Sequence, residues 1–293
     1  MESLNVDIGK FDYGKDYFVF NRFLLICGGM WQFENISQLK YYGYKLYQAI
    51  VFIFCVIICI PCLFIDTMLS KEHIIHIITN LNLGFSVLVG VMKYLLGLLR
   101  HKYITKIMDV MESNEFHYEN VGDFNPGSRM RRAKKIGVIY GLTLYLLTHL
   151  TLGSGFIPAY ILCFKYMIQQ KSIVNVTIFS KLPYHSYTPF EYRTAPSQYL
   201  LALLLQSIPL YMYAHSIIGM DGLFMNMLNF TTTHLTVLKD AFVTLKERAL
   251  IKRNASLSSS FKAEDGLCYS TEMENIMMNE LRKSTKHLQT IVW

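Results

Sequence analysis

Four long apolar runs punctuate the chain, at about 47–65, 74–99, 136–157 and 196–220. At ~1.5 Å per helical residue they reach roughly 29–39 Å, comparable to a hydrocarbon core about 30 Å thick. The third is the clearest. Arg129, Arg131, Arg132, Lys134 and Lys135 precede it, and from Ile136 to Ile157 no residue carries a formal charge. A soluble helix keeps one polar face; these runs are apolar all round, which predicts lipid on the outside. Between and beyond them the pattern stays helical. Residues 18–31 form a short mixed segment closing on Gly28-Gly29, read as a helix lying in the membrane interface. After Asp221 the helical period continues to about Leu250. A Ser-rich break at 254–260 follows, then a last helical pattern with Met273, Ile276, Met277, Leu281 and Leu288 on one face.

The expected fold class is therefore an all-α polytopic membrane protein. Its predicted parts are an N-terminal segment 1–46, a four-span bundle 47–220, and a helical segment 221–293 that leads into a further helix. Composition agrees: 52% of the residues are apolar, only 17% are charged, and the mean hydropathy is positive. The net charge of +7 changes the picture only in detail, because the basic residues flank apolar runs instead of building a basic domain. This favours anionic headgroups over nucleic acid as their partner. Of the 28 Lys and Arg, 22 fall in segments 1–46, 100–135 and 221–293, and 5 in segments 66–73 and 158–195. The positive-inside rule then places both ends of the chain in the cytoplasm. It puts the Asn175-Val-Thr177 sequon outside, where it is expected to carry glycan, and leaves the sequons at Asn35, Asn229 and Asn254 inside.

Candidate chemistry inside the spans is sparse. Cys59-Ile-Pro-Cys62 has redox spacing but no second ligand pair, and reads as apolar filler beside Pro61. Lys93 is the only cation within a span, two turns from the inner end, where it can snorkel or pair with another helix. Ala133, Gly137 and Gly141 stand four apart and make a ridge that another helix can approach closely. Tyr145, His149, Leu152 and Phe156 recur at helical spacing and lay an aromatic and polar stripe along the third span. The chain contains no nucleophile elbow, phosphate loop or zinc-protease motif, so no enzymatic activity and no cofactor are expected.

Leu182-Pro183-Tyr184 and Tyr187-Thr188-Pro189-Phe190, just ahead of the fourth span, resemble the second outer loop of insect odorant receptors. Asn21-Arg22 with Gly29-Met30-Trp31, Asp221 at the inner end of the fourth span, and His287-Leu-Gln289 follow in the order of that family. The resemblance covers essentially the whole chain. It implies a seven-span, inverted-topology olfactory receptor of which this chain carries the first four spans and stops near the fifth. It also implies a plasma-membrane subunit of sensory neurons that binds small volatile odorants and gates a cation channel with a shared co-receptor. The family's ion path lies on its seventh span, and the four spans here offer no ring of polar groups, so this chain alone is expected not to conduct. A membrane transporter and a four-span scaffold are the alternatives from other classes.

A pocket for volatile ligands needs apolar and aromatic walls and a few polar groups. The resemblance places it in the outer half of the bundle. There the spans offer Gly84 and Phe85 on the second, Tyr145, His149, Leu152 and Phe156 on the third, and Tyr199, Leu203 and Gln206 on the fourth.

Overall fold

The computed structural model describes residues 17–33, 37–69, 74–113, 118–169, 182–184, 186–258 and 271–292. Among these residues the chain is helical with no strand. The helices are α1 (Val19–Cys27), α2 (Gln38–Phe52), α3 (Cys59–Leu69), α4 (Ile74–Leu99), α5 (His101–Met111), α6 (Pro126–Ile168), α7 (Pro196–Val243), α8 (Leu245–Ser258) and α9 (Thr271–Val292). A π-helical stretch at Ile53–Ile58 joins α2 to α3, and four helical segments are long and apolar enough to cross a membrane.

The reasons for these elements are local. Pro61 has no N–H for the Ile57 carbonyl, and its ring crowds that carbonyl; the widened π turn lies immediately upstream. Helix α7 opens on Pro196, where the missing N–H would have had no helical partner. Helix α1 ends in a left-handed glycine. Gly29 has φ 71°, its N–H donates to the Ile26 carbonyl at 3.0 Å, and the Met30 N–H donates to the Leu25 carbonyl at 2.8 Å. That pair of bonds is the Schellman closure, which glycine adopts without steric cost.

Two helices outrun the apolar runs that predict them. Helix α6 has 43 residues and passes Pro158 to reach Ile168, so the segment expected to be loop from 158 begins one helical stretch later. Helix α7 has 48 residues and carries Pro209 inside it.

The chain divides into two compact units. The first comprises residues 1–18, 105–139 and 224–293. Its described core holds Tyr118, Phe124, Val237 and Ala241, and Phe230 takes the rings of Tyr17 and Phe18 at 4.6 and 5.3 Å. The ridge predicted on α6 has its partner here. A side chain at Gly137 would collide with Asn226, and the Ala133 carbonyl accepts from Asn229 Nδ2 at 2.8 Å.

The second unit comprises residues 19–104 and 140–223. Helix α1, read from sequence as interfacial, is packed within it: Leu24 lies against Ala214 and Ile218, and a side chain at Gly28 would strike Ser216. Side chains here satisfy backbone groups that lipid cannot. Gln48 Nε2 donates to the carbonyls of Gly29 and Trp31 at 3.0 and 2.9 Å, and Tyr213 Oη donates to that of Ser86 at 2.6 Å. Lys93, the cation within the second span, pairs with Asp221 at 2.7 Å. The snorkelling alternative thus gives way to a helix–helix ion pair between α4 and α7.

Candidate ligand-binding site

Residues four and three apart on a helix share a face, so Tyr145, His149, Leu152 and Phe156 project together from α6. The structure sets part of α7 opposite them. The His149 ring stacks on Tyr145 at 4.0 Å between centroids and meets His215 edge-on at 4.8 Å. Tyr211 lies 5.7 Å from His149 and 6.2 Å from Phe156. Phe156 in turn meets Tyr184, from the segment ahead of α7, at 6.2 Å and 84°. These are the offset and edge contacts that aromatic quadrupoles favour.

The two histidines are held in the same way. His149 Nδ1 stands 2.8 Å from the Tyr145 carbonyl, and His215 Nδ1 stands 2.7 Å from the Tyr211 carbonyl. A carbonyl only accepts, so each Nδ1 carries the proton and each ring is tied one turn back along its own helix. The pattern Tyr-x-x-x-His thus occurs twice, on α6 and on α7, and the two copies face each other.

Below this cluster a second apolar group joins the helices. Phe156, Cys163, Tyr199 and Leu203 are buried together, with Tyr192, Leu182 and Tyr184 packed around them. Tyr160 Oη and Ser207 Oγ share a hydrogen bond of 2.6 Å across it. Gln206, only 2% exposed, ties the 182–190 segment down. Its Nε2 donates to the Tyr184 carbonyl at 2.9 Å and to Ser186 Oγ at 2.6 Å, and Tyr184 Oη donates back to the Gln206 carbonyl at 3.3 Å.

The residues expected at a ligand site are therefore distributed unequally. Tyr145, His149 and Phe156 meet in the aromatic cluster, and Tyr199, Leu203 and Gln206 lie in the adjoining apolar layer. Leu152 packs toward Leu24, Ala214 and Ile218. Gly84 and Phe85 are not brought to this cluster; Phe85 is 64% exposed and Gly84 has no atom near the place a Cβ would take. Asn175 lies outside the described residues. Tyr211, His215 and Tyr184 belong to the site as well, beyond the residues that the sequence singles out. The repeated Tyr-x-x-x-His spacing was the legible signal for the first two, whereas nothing local marks Tyr184 as a wall of the cluster. Among the described residues no three His, Cys, Asp or Glu side chains come together as a metal-binding set.

Comparisons with known proteins bear on this arrangement. Residues 73–292 match the family model described as 7tm odorant receptor. Two solved structures of the insect olfactory receptor OR5 from Machilis hrabei share the fold. The complex with eugenol gives a TM-score of 0.56 at 14% identity, over 94% of this chain and 65% of that one. A second OR5 structure gives 0.55 at 12% identity, over 94% of this chain and 79% of that one. The chain thus spans less than two thirds of the first of these receptors. No curated protein sequence matches it.

Proposed function

The chain belongs to the 7tm odorant receptor family, and on that premise we propose that it binds small, largely apolar odorants between α6 and α7 of its second unit. The observation that carries the reading is the facing pair of Tyr-x-x-x-His motifs, set in aromatic rings and bordered by the apolar Phe156–Leu203 layer. Such a surface supplies dispersion contact along its length and only a few polar groups to orient a ligand. One solved receptor of the same fold holds eugenol, which supports a small organic ligand here too. The four membrane-length helices make the chain a multi-pass membrane protein. We further propose that it resides in the plasma membrane of sensory neurons with its N-terminus in the cytoplasm, and that it gates a cation channel together with a co-receptor subunit.

The test of the site is direct. With the chain in lipid nanodiscs, an odorant panel is expected to bind, and Phe156→Ala is expected to re-rank the panel while leaving folding intact. A panel that binds nowhere, or a ranking unmoved by Phe156→Ala, overturns the site. Gating is tested separately, as odorant-evoked current from a receptor that joins this chain to further spans of the family, expressed with the co-receptor. Orientation is read from glycan: a mobility shift lost on Asn175→Gln is expected, and one lost on Asn35→Gln inverts the topology.

A further inference from the structure

Two acceptors at this site lack a donor. The His149 proton is committed to the Tyr145 carbonyl through Nδ1, so Nε2 presents a lone pair, and that atom is buried with no hydrogen-bond partner. Gln206 is in the same position. Its nitrogen end is fixed by the Tyr184 carbonyl, which can only accept, so the opposite atom is Oε1; it too is buried and unpaired. Both belong to one surface. His149 touches Tyr211, Tyr211 touches Phe156, Phe156 touches Tyr184, and Tyr184 is bonded to Gln206. Beside them, a Cβ at Gly153 would stand 3.1 Å from Ile157 Cδ1 and 3.9 Å from Tyr211 Oη.

A buried acceptor without a donor is costly, more so where no bulk water can reach it. From this shared deficit we infer that the site selects odorants that donate a hydrogen bond, alcohols and phenols, over ethers, ketones and esters of the same size. His149 Nε2 is the first acceptor and Gln206 Oε1 the second. A hydroxyl repairs the deficit. An ether or carbonyl oxygen brings a further lone pair against a lone pair and repairs nothing, which is how a site built for a donor rejects its isostere. The inference rests on the ligand site proposed above and adds the chemical class that it takes.

The experiment uses two matched pairs, 1-octanol against 1-methoxyheptane and 4-ethylphenol against 4-methylanisole, titrated into the full chain in nanodiscs. The hydroxyl member of a pair is expected to bind about tenfold more tightly. In His149→Phe, which keeps a ring and removes the acceptor, the ratio is expected to fall to about twofold while ether affinity holds. Equal affinity within both pairs in the unaltered chain overturns donor selection but leaves the ligand site standing. Binding by none of the four overturns the ligand site itself. A ratio that persists in a folded His149→Phe removes His149 from the proposal. Should that variant fail to fold, ¹⁵N-histidine spectra of the unaltered chain decide. One unprotonated Nε2 signal is expected to move toward the hydrogen-bonded range on adding the alcohol and to stay put with the ether. A set of signals that the alcohol leaves unmoved assigns the acceptor to resident water and overturns the proposal.

Discussion

Among the described residues two pairs of histidines touch, one in each unit, and they are wired differently. In the second unit His149 and His215 each spend one nitrogen on a carbonyl of their own helix, and His149 Nε2 is left without a partner. In the first unit His287 uses both nitrogens on other side chains: Nδ1 meets Tyr118 Oη at 3.0 Å, and Nε2 meets His234 Nδ1 at 3.1 Å. The surroundings follow the same division. Near His287, the wholly buried Arg248 is paired with Glu280, which Lys252 also reaches at 2.5 Å, and the Arg248 guanidinium lies over the Tyr118 ring. The described contacts of His149 are the rings of Tyr145, Tyr211 and His215. Tied to side chains of other elements, His287 is fixed in one geometry; His149, tied only within its own helix and set among rings, keeps an acceptor for a ligand to complete. The difference separates a histidine that holds structure from one that is free to recognise.

The comparison can be broken most forcefully at Glu280. Removing one member of a buried pair strands the other, at a cost of about 3–5 kcal/mol. Glu280→Leu is therefore expected to abolish hydrogen-exchange protection across α8 and α9 while leaving the second unit's helices protected. Intact protection of α9 in that variant would show the network to be incidental.

The pH response should belong to the same side. Burial, with His234 and Lys283 adding to it, pushes His287 down to about 3 from its ordinary 6.5. The unfolded chain takes up a proton from 6.5 downward that the folded chain refuses until about 3. The stabilisation is thus full above pH 6.5 and lost as the pH falls, with a slope of up to about 1.4 kcal/mol per unit. Burial would raise Glu280, but Lys252, Arg248 and Lys283 outweigh it and hold its carboxyl below 4.5. Burial lowers His234 as well, so between pH 6.5 and 4.5 the slope is expected to come from this pair of histidines. Thermal unfolding in nanodiscs over that range checks it, and a flat profile for the first unit would contradict the burial of a neutral His287.

A smaller effect sharpens the contrast. His287→Phe removes the hydrogen bonds to Tyr118 Oη and His234 Nδ1 and is expected to cost about 1–3 kcal/mol. His149→Phe removes only a bond within its own helix and is expected to cost less than about 1 kcal/mol, its effect being read in ligand ranking instead. Equal losses of stability in both variants would erase the distinction. Least of all, Asp221→Asn removes the partner of the half-exposed Lys93, for a loss of about 1 kcal/mol. The swap of Lys93→Asp with Asp221→Lys is expected to recover most of it, measured as the yield of folded protein.

Much of the architecture was legible before any coordinate. Uncharged runs between basic clusters mark helices for lipid, because neither water nor a mixed surface tolerates that pattern. Proline and glycine mark where α7 opens and α1 closes, because their constraints are local to the backbone. The stripe on α6 was legible too, since helical spacing alone puts Tyr145, His149 and Phe156 on one face. What faces that stripe was not. His215 lies 66 residues from His149, and Tyr184 lies 28 residues from Phe156; only the packing of α6 on α7 brings them together. The same holds for Lys93 and Asp221, each readable as an isolated charge toward the inner end of a span, whose attraction depends on a distance that no local pattern encodes. The pattern determined which residues share a helix face, because that follows from 3.6 residues per turn. The tertiary structure decided which nitrogen and which carbonyl oxygen are left without a partner, because hydrogen-bond saturation is a property of neighbours distant in the chain.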